Sequence, residues 1–397
     1  MSPTRRHLLA GVAGGLAGLH AGGVLYAGAA DADFESWEPA PGTWPMPRYG
    51  PANTAYSPDA TPPRSEPTVE RVGDQGVGLV GTEYVTSGGD VPLLTRDFEP
   101  VSGLGDVGRP EAFGPPDAGV LYTADRDDED VIRAVSLEGE PSVTDERRVD
   151  LDFLRRVVPG RREVYADGND RTVALNRDLS SRGWHQDVGN LALHGKRLYA
   201  VGSDGLTAYE ERTGLDRRLE SGPEQAWAAD LEYHPRFYGP AVADGRAVLV
   251  ANSFIENTGV VGAYDAATGD PLWEPHSVGE RRHHPPALVG DRAYVAVEGA
   301  DLDRGSVNCV DAETGETQWS HDVDYTPEYL VAGGDTVVVS GHLNHYLGGD
   351  PECVLAAYDL GGEALWQTAL PEFAPVRPMP VDDRLPFTGE DGLYAAR

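Results

Sequence analysis

From about residue 77 onward the chain alternates short apolar runs with turn residues. Ala247-Val248-Leu249-Val250, Ala293-Tyr294-Val295-Ala296-Val297 and Val337-Val338-Val339 are rich in β-branched or aromatic residues. They are too short for helices, and each lies between Gly, Asp or Asn residues. Such runs predict strands. Forty-nine glycines and 31 prolines interrupt the chain too often for a helical bundle, so the pattern predicts an all-β chain of many short strands. A length of 397 residues fits two or three ordinary domains or one large all-β domain.

Self-similarity decides between these. Ala263-Tyr264-Asp265-Ala266-Ala267-Thr268-Gly269-Asp270-Pro271-Leu272-Trp273 recurs as Cys309-Val310-Asp311-Ala312-Glu313-Thr314-Gly315-Glu316-Thr317-Gln318-Trp319. A third copy, Ala357-Tyr358-Asp359-Leu360-Gly361-Gly362-Glu363-Ala364-Leu365-Trp366, is one turn residue shorter. The tryptophans stand 46 and 47 residues apart. Strand, loop, strand, Asp-x-x-Thr-Gly turn, strand with Trp is the order of one four-stranded propeller blade. Asp265, Asp311 and Asp359 can bond backbone two residues on, and Gly269 and Gly315 supply the positive φ that closes the turn. Trp273, Trp319 and Trp366 are large enough to plug the gap between blades. Repetition argues that these residues pack rather than bind.

Weaker copies lie upstream: Leu198–Val201 with Asp204–Tyr209, Val164–Ala166 with Thr172–Leu175, and Val120–Thr123 with Val131–Val135. Val77–Val80 with Val91–Leu94 forms a degenerate first copy, and Arg384–Phe387 with Asp391–Ala396 the last. Eight copies at about 46 residues each predict a single eight-bladed β-propeller, or seven blades if the first copy is an edge ribbon. The last blade is left without its outer strand, and an open edge invites aggregation. A segment between Phe34 and Pro51 is therefore expected beside residues 391–396, with Trp37 or Trp44 in the blade-docking place. The domain reading is residues 31–66 as an N-terminal segment including the closing strand, and 67–397 as the propeller.

Residues 1–30 have a different composition. Arg5-Arg6-His7-Leu8-Leu9 opens a Gly/Ala/Leu-rich stretch free of acidic residues up to Asp31 and ending in Ala27-Gly28-Ala29-Ala30. This reads as an export signal of the twin-arginine type, cleaved or kept as an anchor. No other stretch is long and apolar enough to span a membrane. The chain holds 32 Lys+Arg, only one of them a lysine (Lys196), against 65 Asp+Glu, for a net charge of −33. The first thirty residues carry two arginines and no acid, so the remainder stands at −35. That charge argues against a nucleic-acid partner. Dense carboxylates with almost no lysine resemble salt-in halophile proteins, where molar salt screens the self-repulsion within about 3 Å.

The Ala-x-Asp-x-x-Thr-Gly-x-x-x-Trp pattern is similar to the repeat of pyrroloquinoline-quinone-type propellers. Trp44-Pro45-Met46 through Arg48, with Asn53-Thr54, resembles the opening of exported haloarchaeal members. That group includes quinoprotein alcohol dehydrogenases and the non-enzymatic propellers of outer-membrane protein assembly, and the resemblance points to the second branch. Enzymatic members hold the quinone over calcium with acidic and amide ligands, an arginine and a catalytic Asp, under a ring of two adjacent bonded cysteines. Here Cys309 and Cys353 fall at different offsets of successive repeats and are not expected to bond. No cofactor, metal site or catalytic residue is expected. The quinone with calcium belongs to the alternative reading, a quinone-dependent dehydrogenase or other redox enzyme.

The blade-to-blade returns surround the funnel on one face, and here they gather aromatic, His and Arg residues. Trp184, His185, Tyr238, His283, His284, Tyr325 and Arg377 are the candidate funnel-binding residues, beside Arg281-Arg282 and Tyr329. His342-x-x-His345 lies in a loop and imposes no common face, and Asp301, Asp303, Asp350 and Glu352 are the acid clusters such a chain carries by chance. The function expected is a binding or scaffolding module at the cell surface of a halophile, engaging a surface or secreted protein.

Overall fold

The computed structural model describes residues 34–397, except 74–76, 88–92, 102–103, 105–106, 127–129, 152, 169–170, 187–188, 203–204, 213–221, 232–238, 254–257, 282, 300–303, 344–351, 371–375 and 390–391. The signal segment lies outside the described residues. Eight four-stranded blades ring a central axis. Five are complete ladders, such as blade 2 with Arg109–Phe113, Val120–Asp125, Val131–Ser136 and Ser142–Arg148. In blades 1 and 5 the outer strand survives only as bridges, Leu94 to Pro100, Tyr264 to Pro271 and Val261 to His276. Prolines at 100, 271 and 275 remove the ladder donors there. The sequence predicts Val77–Val80 and Val91–Leu94 as the first copy, but Tyr84–Ser87 lies between Val77–Val80 and Leu93–Thr95 as the second strand of the blade.

The repeat motif ties each blade to the next. Asp265 Oδ1 accepts from the amides of Ala267 and Thr268 at 2.8 and 2.9 Å, and Asp311 Oδ1 accepts from those of Glu313 and Thr314, both at 2.9 Å. The turn closes at Gly269 (φ 80) and Gly315 (φ 78). A Cβ on Gly315 would stand 2.6 Å from the Trp273 ring, and one on Gly362 2.7 Å from Trp319. Each indole thus lies on the bare glycine of the following blade's turn. Its Nε1 donates to the residue after the turn Asp, Trp273 to Ala312 O and Trp319 to Leu360 O, both at 3.2 Å. Trp227 does the same toward Ala266 O in a copy too degenerate to align.

The ring closes where the termini meet, but through a different strand from the one expected. Val69–Gly73 pairs antiparallel with Gly392–Ala396 and supplies the outer strand of blade 8. Residues 34–51 do not, and neither Trp37 nor Trp44 takes a blade-docking place. Prolines at 39, 41, 45, 47 and 51 make that segment unfit for a ladder, whereas Val69-Glu70-Arg71-Val72 contains no proline and keeps its ladder donors. Trp366 instead reaches Pro63 O at 2.7 Å on the way to the closing strand.

The N-terminal segment crosses the axis and touches every blade. Trp44 exchanges two bonds with Val80 in blade 1, and Pro45, Pro51, Ala52, Thr54 and Ala55 accept from the amides of Phe113, Leu193, Val242, Leu288 and Ala332. Arg161 N donates to Glu35 O in blade 3, and Thr61 N to Asp382 O in blade 8. The innermost strand of each blade presents an unpaired edge to the axis, and those amides need acceptors. A proline-rich segment offers carbonyls while adding few donors of its own. Left-handed φ at Tyr49, Asn53 and Ala55 (74°, 57° and 51°) turns it from blade to blade.

Candidate functional site

With that segment as floor, the channel holds a cavity of about 620 Å³ lined from all eight blades. Pro47, Arg48 and Ala55 belong to the floor. The walls come from the first residues of inner strands and from neighbouring turns. Six arginines line the cavity, Arg48, Arg109, Arg126, Arg155, Arg156 and Arg377, against two carboxylates, Glu111 and Glu328. In a chain with twice as many acids as bases this reverses the local sign.

Several of these guanidinium groups also hold the fold. Arg156 pairs with the fully buried Asp167 at 2.8 Å and donates to Asn53 Oδ1 at 3.0 Å. Asn53 Nδ2 then donates to Leu191 O at 2.6 Å and to Pro240 O at 3.3 Å, pinning the floor to blades 4 and 5. Arg48 donates to Asn53 O and to Pro286 O. Arg155 reaches Asn190 Oδ1 at 2.5 Å, and Arg126 bonds Glu111 at 2.7 Å. Burial pushes the Glu111 carboxyl up to about 7, with the Arg126 charge pulling the other way. Glu328 lies 3.1 Å from His342 Nδ1. Toward the open end, the Arg377 guanidinium sits 5.1 Å over the Tyr329 ring, a cation–π contact, and both Arg109 and Arg377 are exposed.

Of the residues expected to share the funnel, Arg377 and Tyr329 line this cavity. His185 is exposed at the end of an outer strand. Trp184 lies on the same strand, its side chain outside the described residues, as is Tyr238 altogether. His283 and Tyr325 are fully buried away from the cavity. His283 holds Arg281 O at 2.8 Å and accepts from Val278 N, and burial pushes its imidazole down to about 4. This is a neutral structural histidine. His284 is also buried, 3.5 Å from Glu298, and Tyr325 sits in the core between blades 6 and 7. Among the described residues of these returns, His283, His284 and Tyr325 fill space between blades, while Tyr329 and Arg377 reach the cavity. The signal for Arg109 and Arg156 is their common place as the first residue of an inner strand, with Arg155 one residue ahead. It is readable only once the degenerate blades are in register.

The lining does not suit a quinone over calcium. Calcium asks for several converging oxygen ligands. Both carboxylates here face a cationic or imidazole partner, and the surrounding guanidinium groups repel a divalent cation. Among the described residues no three His, Cys, Asp or Glu converge on a metal position. Cys309 and Cys353 are buried free thiols, pushed up by burial to about 12 and about 11.

Sequence comparison supplies the family. The model for outer membrane protein assembly factor BamB matches residues 168–303, 215–377 and 303–396, well over half of the chain. The chain belongs to the BamB family. No curated protein matches it in sequence. Among solved structures, BamB from Moraxella catarrhalis is similar at a TM-score of 0.39 and 14% identity, over 70% of this chain and 93% of that one. A europium-containing methanol dehydrogenase gives 0.38 and 11%, over 90% and 89% of the two chains. A chain of the mitotic checkpoint complex gives 0.47 and 13%, over 75% and 91%.

Proposed function

We propose that this BamB-family chain is an exported binding and scaffolding module that works at the cell surface of a salt-adapted organism and engages a surface or secreted protein. One observation carries the reading. The chain's own N-terminal segment bonds to all eight blades across one face, which leaves the opposite face, among the described residues, free for a partner. A rigid ring that presents many loops on a single free face is built for docking. The paired arginines at the N-terminus and the −33 charge support the export and salt-adaptation parts. The test is affinity capture from surface extract in molar KCl, comparing the native chain with a variant carrying His185→Ala and Arg281→Ala on the open face. A stoichiometric protein retained by the native chain and lost by the variant is the expected result. Equal capture by both, or no protein captured by either, contradicts the reading.

A further inference from the structure

We propose that the axial cavity binds a small multivalent oxyanion, a di- or tricarboxylate or a phosphate ester. This goes beyond the protein-docking reading and does not rest on it. The first ground is charge. Six guanidinium groups and two carboxylates share about 620 Å³ in a chain that carries 65 acids against 32 bases overall. Like charges gathered in an enclosed space repel one another strongly, and a bound polyanion turns that cost into attraction. Both lining carboxylates are already engaged, Glu111 by Arg126 and Glu328 beside His342. Arg109 and Arg377 stand in no ion pair among the described residues, and both are exposed toward the open end.

The second ground is independent of charge. Thr86 lines the cavity, is fully buried, and its hydroxyl has no hydrogen-bond partner. Arg126 Nε, also buried at the cavity wall, lacks an acceptor as well. Orphaned buried polar groups are costly and rare in native proteins, and here two donors border one cationic space. An oxyanion supplies the acceptors both are missing, and the planar forks of the arginines match carboxylate and phosphate oxygens in pairs. The volume suits a small molecule rather than a lone halide. Among the described residues, the exposed Arg109 and Arg377 border the end opposite the floor.

Titration calorimetry of the full chain in molar KCl, with citrate, pyrophosphate and glucose in separate runs, tests this. Citrate also stabilises proteins by exclusion from their surface, so stoichiometric heat is the readout rather than melting temperature. One-to-one binding of citrate, of pyrophosphate or of both is expected, with none for glucose. Citrate alone assigns a carboxylate ligand and pyrophosphate alone a phosphate. Arg109→Gln with Arg377→Gln should weaken binding at least tenfold, while Arg64→Gln on the outer surface changes nothing. Thr86→Val, which keeps shape and removes the orphan hydroxyl, should weaken binding severalfold without lowering the melting temperature of the free protein. Absence of heat for both anions above the chloride background, or equal affinity in the native chain and in Thr86→Val and the double-arginine variant, overturns the proposal.

Discussion

At the residue scale the interblade contact is a tryptophan lying on a glycine. Gly315 needs its bare Cα twice, for a φ of 78° and for the Trp273 ring 2.6 Å from where a Cβ would stand. Gly139 has a similar φ of 75° with nothing within 4 Å, so it isolates the backbone cost. Gly139→Ala should cost about 1 kcal/mol and Gly315→Ala at least about 2 kcal/mol more, as read from urea unfolding in molar KCl. Equal losses would mean that the ring contact contributes nothing. A second expectation concerns Glu111, which burial raises from 4.5 to about 7 against the pull of Arg126. Between those pH values the folded chain keeps a proton that the unfolded chain has released. Stability from this group therefore falls as pH rises through the window and is level above it. Melting temperatures from pH 5 to 8 should fall less steeply in Glu111→Gln than in the native chain, and identical slopes would show that Glu111 titrates normally. Asp265, Gly269 and Trp273 were legible in sequence because packing roles repeat. The cavity arginines were not, because Arg109 and Arg156 open the inner strands of blades whose repeat motif has degenerated, so their shared place shows only once those blades are in register.

At the element scale, strands were legible wherever both faces of a blade are buried, since a run such as Ala293–Val297 has no other use. Outer strands were harder, because one edge meets solvent and their sequences drift. Trp227 on Glu224–Ala229 escaped alignment for that reason. The closing strand was sought among residues 34–51 because their tryptophans resembled the blade-docking ones. Those tryptophans instead anchor the floor, Trp37 through Pro159 O at 2.7 Å and Trp44 buried against Tyr49. The observed pairing sets Glu70 opposite Ala395. Glu70→Cys with Ala395→Cys should form a disulfide joining the chain's two ends and raise stability by about 4 kcal/mol in the oxidised protein. Cys309 and Cys353 are buried and held protonated, so they do not compete. Failure to cross-link under oxidant would contradict this closure.

At the scale of the whole molecule, a ring of −33 net charge encloses a cationic axis. Self-repulsion of the surface should make the melting temperature climb from dilute buffer to molar KCl, and a flat or falling trend contradicts salt adaptation. The central claim is that the N-terminal segment seals one face by accepting the axial amides of the blades. Hydrogen–deuterium exchange of the full chain in molar KCl reads those amides directly. Phe113, Leu193, Val242, Leu288 and Ala332 donate to carbonyls of residues 45–55 and should exchange as slowly as amides inside the blade ladders. Exchange of these five at the rate of exposed turn amides would mean that the face is open and the cavity has no floor.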